Sequence, residues 1–148
     1  MAADVVERSI VVRCSITTAF DVFTAQLNRW WPKSHSRSGD PNTTIMIEPW
    51  PAGRLYERTS AGIEHTWGQV IIWEPPQRLA YHWYLGSSSE QPSRVDVRFT
   101  EFGVSQTRVE IAHRGPELVG ALWARNSVIY AASWEQLLPI YARLCVSG

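Results

Sequence analysis

Glu57, His113 and Tyr141 are the side chains of this sequence whose chemistry suits proton transfer: a carboxyl, an imidazole and a phenol, each useful when burial and hydrogen bonding tune its protonation. Thr66 and Arg114 are further polar residues whose positions bring them near the same space. No stronger catalytic pattern accompanies them. The chain has no GxSxG, no GxGxxG and no GxxxxGK, and its four histidines (His35, His65, His82, His113) form neither HxxxH nor HExxH. Cys14 and Cys145 lie near opposite ends without CxxC spacing, which indicates reduced thiols in a cytoplasmic protein rather than a disulfide framework. Neither a metal nor a cofactor is expected.

A carboxylate or histidine gains a role only through the faces on which the fold sets it. In RVDVRFT and TRVEIAH, Val95, Val97, Phe99, Val109, Ile111 and His113 share one parity, and Arg94, Asp96, Arg98, Arg108 and Glu110 the other. The first set faces a core. Pairing 99 with 109, 85 with 95, and Thr59 with Glu64 carries that inward face to Tyr81, Trp83, Leu55 and Glu57, with Gly68 making room for the Trp83 ring. On the same register Trp67, Trp73 and Tyr84 gather on the outer face, where they form a candidate homodimer or partner contact.

The elements that present these faces follow from periodicity. Residues 5 to 13 read as a strand. TTAFDVFTAQLNRWW then takes helical spacing behind Thr17 and Thr18 as candidate caps, with Pro32 as its stop. TTIMIEPW, GRLYERT, HTWGQVIIW, LAYHWYL, RVDVRFT and TRVEIAH form an antiparallel meander. From Pro116 onward the period returns to 3.6, and Trp134, Leu137, Leu138, Tyr141 and Cys145 make one stripe on a long terminal helix, broken or kinked at Pro139. The loop WWPKSHSRSGD, with Lys33, His35 and Arg37, is a candidate lid. The resulting expectation is an α+β fold over residues 1–148, one domain in which a curved antiparallel sheet wraps a long C-terminal helix and leaves a cavity between them.

Composition narrows the function. Fourteen basic and 14 acidic residues give a formal net charge of zero, so the electrostatic footprint of a nucleic-acid partner is absent. The sequence carries no signal-peptide pattern at its start and no run of 18 apolar residues, so no membrane span is expected.

GRLYERTSAGIEHTWGQVIIWEPPQRLAYHW resembles the central signature of domains similar to the activator of Hsp90 ATPase, within the START-like, helix-grip superfamily. AFDVFTAQLNRWWP, the EPPQRL turn, the strand carrying Trp83 and the SWEQLLP helix are similar in the same order, so the resemblance covers nearly the whole chain. It implies a helix-grip fold with a hydrophobic pocket between sheet and helix. Trp30, Trp31, Leu55, Glu57, Tyr81, Trp83, Val97, Phe99, His113, Trp134, Leu138 and Tyr141 are the residues expected to line it. Three functions stay open: binding of a small apolar, aromatic or acyl ligand; catalysis of the polyketide cyclase or hydrolase kind in the same cavity; and protein interaction of the co-chaperone sort.

Overall fold

The computed structural model describes residues 5–88, 91–115 and 120–147. β1 (Val5–Val12) leads into α1 (Ile16–Phe23) and the single-turn α2 (Leu27–Trp30); β2 (Thr44–Ile47), β3 (Arg54–Arg58), β4 (Glu64–Glu74), β5 (Arg78–Ser88), β6 (Gln91–Gly103) and β7 (Gln106–Arg114) follow, then α3 (Gly120–Ser147). The strands form one antiparallel sheet ordered β1-β7-β6-β5-β4-β3-β2. β1, first in sequence, closes on β7, the last strand of the meander, and the curled sheet grips α3. This is the helix-grip fold that the sequence predicts.

Several local expectations need correction. The cap of α1 is Ser15, whose hydroxyl accepts from the Thr18 amide at 3.2 Å, rather than Thr17 or Thr18. The single helix read through Trp31 is two: the Thr24 hydroxyl donates to the Phe20 carbonyl at 2.7 Å and the Gln26 amide reaches back to Asp21, interrupting the regular ladder before α2. α3 runs unbroken through Pro139. Pro139 and Glu135, four residues earlier, are both exposed, so the carbonyl that proline leaves without an amide faces water and the helix continues.

β4 departs most from the predicted register. Leu55 pairs with Gly68 as expected, but Tyr56 then pairs with Thr66 and Glu57 with His65, leaving Trp67 as an extra residue. Ile71 is a second extra residue, between the Val70–Tyr81 and Ile72–Ala80 pairs. Each insertion reverses the side-chain parity beyond it. Trp67 therefore turns into the core, 1% exposed, and Trp73 is half-buried with its ring 5.2 Å from Phe20 in an edge contact. The outer face expected from Trp67, Trp73 and Tyr84 does not form, and the dimer contact built on it is withdrawn.

Tyr81 and Trp83 do point inward, though opposite Val95 and Ser93 rather than Phe99 and Val97. The strands continue through the segment read as a loop, to a Ser88–Gln91 pair, and the register moves by an even number of residues, which preserves parity. Gly68 is required by backbone rather than by the Trp83 ring: an added Cβ would lie 2.1 Å from the His82 carbonyl oxygen.

Candidate functional site

The concave face carries two buried polar centres with different surroundings. At the β2–β4 end Glu57 is fully buried. One carboxylate oxygen accepts from the Arg37 amide and the Trp67 indole N–H, each at 2.9 Å; the other accepts from the Ser38 amide and the Thr43 hydroxyl, each at 3.2 Å. Burial would raise this carboxyl above its ordinary 4.5, but the hydrogen bonds from Ser38, Arg37 and Trp67 outweigh it and hold the group below that value. Glu57 is thus an ionised anchor that ties the segment from Arg37 to Thr43 onto the sheet. Neither Tyr141 nor His113 is its partner, and Arg54 is engaged with Glu48 and Glu64 instead. The expectation that Glu57 lines the main cavity as an acid–base group is corrected accordingly.

Beside this anchor the aromatics fill the space. Trp31 is the hub, its ring 5.7 Å from Trp30, 5.9 Å from Trp67 and 5.6 Å from Trp83. Between them, Leu55, Leu79 and Tyr81 line a residual hole of about 10 Å³, room for one water at most. Val97, Phe99 and Leu138 are buried in the core, with Phe99 against Phe20 and Phe23. Tyr141 is also fully buried; its hydroxyl donates to the Ala19 carbonyl at 2.7 Å and burial pushes the phenol well above its ordinary range, so it takes no part in acid–base work at neutral pH.

At the other end, between α3, the Trp31–Ser36 segment and the ends of β5 and β7, the packing opens into a cleft of about 230 Å³. Its walls are Trp31 and Trp83 on one side and Tyr130, Trp134 and Leu137 of α3 on the other; His113 forms the floor, and His35, Ser36, Ile129 and Ser133 the rim. Among the described residues no Asp, Glu, Lys or Arg lines it. Of the residues predicted from sequence, Trp31, Trp83, His113 and Trp134 converge here. Ile129, Tyr130, Ser133, His35 and Ser36 were not foreseen, although Tyr130 stands four residues before Trp134 on the predicted stripe, and His35 and Ser36 belong to the predicted lid segment. Thr66 and Arg114 are exposed and lie outside the cleft.

His113 is held in one tautomer. Trp134 Nε1–H, which can only donate, lies 3.2 Å from His113 Nδ1, so that nitrogen carries no proton and Nε2–H must donate to Ser93 Oγ at 2.7 Å. The Ser93 hydroxyl is then directed to the Trp83 carbonyl at 3.4 Å. Tyr130 stacks on the imidazole, ring centres 4.2 Å apart. Burial drives the imidazole from 6.5 down to about 3, so the cleft floor is neutral.

With this geometry in view, the comparisons with known proteins divide clearly. The model of the activator of Hsp90 ATPase homolog 1-like proteins matches residues 13–139, which is most of the chain. The chain belongs to this family. Among solved structures, the anthrahydroquino-γ-pyrone synthase Txn09, complexed with SUM, is 35% identical over 76% of this chain and 77% of its own, with a TM-score of 0.57. The self-sacrificing resistance protein CalC from Micromonospora echinospora is 26% identical over 95% of this chain and 93% of its own, with a TM-score of 0.73. Protein MLL2253 from Mesorhizobium loti, 15% identical over 95% of each chain with a TM-score of 0.71, shares the fold. No protein with a curated description matches. These structures share the fold although their names give different roles, and what this chain does must be read from its own cleft. Among the described residues no helix is long and apolar enough to cross a membrane.

Proposed function

We propose that this protein binds a small, planar, uncharged aromatic compound in the cleft between α3 and the Trp31–Ser36 segment. The observation that carries the reading is the cleft itself: about 230 Å³ of open space walled by Trp31, Trp83, Tyr130 and Trp134 over a neutral histidine. Flat aromatic rings offer stacking surfaces, and a wall without formal charge leaves a charged ligand desolvated with no partner, which selects against it. Drug-sized pockets hold about 300–1,000 Å³, so this cleft suits two or three fused rings with one edge left in solvent. The polar groups of the rim, Ser133 and Ser36, suit hydroxyl or carbonyl substituents.

The likeness to Txn09, an anthrahydroquino-γ-pyrone synthase, favours a second reading in which the cleft turns an aromatic compound over. His113 is the one of the three acid–base candidates beside the cleft, and as it stands its basic nitrogen is occupied by Trp134. Catalysis would need the indole to swing away, whereas binding needs no rearrangement, and binding is therefore the conclusion preferred.

The test is titration with 1,8-dihydroxyanthraquinone, read by quenching of tryptophan fluorescence. Saturable quenching is expected, and Ser133→Trp, which fills the cleft from its rim, should abolish it with the melting temperature nearly unchanged. Absence of saturable quenching, or binding untouched by Ser133→Trp, would contradict the proposal. Disappearance of the probe with formation of a new product would favour the second reading.

A further inference from the structure

The outer face of the sheet carries a charge arrangement that its own stability does not explain. Across β5, β6 and β7 it presents Arg78, Arg94, Arg98, Arg108 and Arg114 around a shallow depression of about 790 Å³, with Glu7 of β1, Asp96 and Glu110 as the acidic residues among them; Arg8 turns to the helix side and pairs with Glu135 of α3 at 3.0 Å. Five positive against three negative charges make this face +2 in a chain whose formal net charge is zero. The pairing is unfavourable in two places: Arg78 stands directly opposite Arg98, and Arg94 directly opposite Arg114. Like charges opposite one another destabilise a sheet, where opposite charges at the same positions would stabilise it. Asp96 relieves part of the repulsion, accepting Arg94 at 3.0 Å and lying 3.6 Å from Arg78, and Glu110 lies 3.9 Å from Arg108. Arg98 and Arg114 remain exposed, with no ion pair among the described residues.

We propose that this face docks an acidic helix of a partner protein. Four strands span about 14 Å, and the seven residues from Arg108 to Arg114 about 20 Å. That footprint matches a helix about 10–12 Å wide and some 13 residues long. The cationic groups on it are all arginine, whose planar fork pairs two-to-two with a carboxylate. The interspersed Glu7, Asp96 and Glu110 would repel a continuous phosphate backbone, while a protein surface of mixed charge can avoid them. A single small anion would leave most of the arginines unused. The face lies on the opposite side of the sheet from the cleft, so occupation of the two is independent.

The experiment measures fluorescence anisotropy of a labelled 18-residue Glu/Ala helical peptide, with its Gln/Ala counterpart and a single-stranded oligonucleotide of equal charge as competitors. The Glu/Ala peptide should bind at 20 mM salt and weaken at least tenfold by 200 mM, as expected for exposed charge pairs. Arg114→Glu combined with Arg98→Gln should reduce its affinity at least tenfold while leaving the anthraquinone titration and the fold unchanged. Equal binding of the Gln/Ala peptide, indifference to the double substitution, or displacement by the oligonucleotide at lower concentration than by unlabelled Glu/Ala peptide would each overturn the proposal.

Discussion

Glu57 and His113 occupy opposite ends of the same concave face, and each is withdrawn from solvent to 2% exposure or less. They differ in what surrounds them. Four donors converge on the carboxylate, the aromatic rings close over it, and hardly any space is left. The imidazole sits in a chain with one donor and one acceptor beside about 230 Å³ of open volume. Burial of an ionisable group therefore does not mark a functional site in this protein. What separates anchor from site is whether a ligand has room beside the group.

The largest expected effect lies at the anchored end. Trp67 is a donor to Glu57 and a wall of the aromatic plug, so Trp67→Glu sets a second carboxylate against the first with no donor to spare. It should cost more than about 4 kcal/mol, enough to prevent folding, and near-ultraviolet circular dichroism should show loss of tertiary signal. A folded variant with altered sedimentation would restore the surface role that the bulge in β4 removes.

Next comes Glu57 itself. Glu57→Ala should cost about 3 kcal/mol in denaturant unfolding, because the buried Trp67 indole loses its acceptor, while the Thr43 hydroxyl keeps the Arg58 carbonyl and the Arg37 and Ser38 amides can turn to water. Glu57→Gln keeps the shape but puts an amide donor where a carboxylate oxygen accepts two bonds, and should cost about 1–2 kcal/mol. The anthraquinone affinity of the glutamine variant should change little, since Glu57 does not touch the cleft. A glutamine variant as stable as the parent would mean that the four contacts do not need the charge.

At neutral pH nothing is lost at the open end, where the effect is confined to an acidic window. His113 has its folded value near 3 against 6.5 for an ordinary imidazole. Above pH 6.5 both folded and unfolded chains are neutral there and nothing is lost. Below it the unfolded chain takes up a proton that the folded chain refuses, so stability should fall by about 1.4 kcal/mol per pH unit, levelling off near pH 3. Glu57, held below 4.5, adds its own loss only below that pH, as the unfolded carboxyl protonates first. Between pH 6.5 and 4.5 the two centres are thus separable: His113→Gln should flatten the slope of melting temperature against pH in that window, and Glu57→Gln should leave it. An unaltered slope in His113→Gln would place the imidazole in a wetter environment than the stacked, indole-bonded one described here.

The two ends were not equally legible in the sequence. Alternation in β6 and β7 gave the inward parity of His113, and the helical stripe of α3 gave Trp134, so the open end was half visible before its partners were known. Ser93 shares the parity of Val95 and Val97, and Tyr130 precedes Trp134 by one helical turn; both signals were present and unread. The anchored end was harder for physical reasons. Trp67, Val70, Ile71, Ile72 and Trp73 are apolar on both parities, so an extra residue in β4 leaves no periodic trace. Two of the donors to Glu57 are backbone amides of a loop, and an amide carries no residue signature. Helix-grip architecture came through because it depends on element order and strand alternation, which two single-residue bulges do not disturb; the outer aromatic face failed because it depended on the register of β4 alone.

The central claim, that the aromatic ligand enters the His113 end and leaves the Glu57 end untouched, is open to one direct measurement. Among the described residues, the indole N–H of Trp134 donates to His113, that of Trp31 to the His35 carbonyl, that of Trp67 to Glu57 and that of Trp30 to the Val22 carbonyl. In a proton–nitrogen correlation spectrum of the uniformly labelled protein, titration with 1,8-dihydroxyanthraquinone should shift the Trp134 and Trp31 indole signals progressively to saturation while those of Trp67 and Trp30 stay within a linewidth. Movement of Trp67 and Trp30 with Trp134 fixed, or no movement of any indole, would contradict the account.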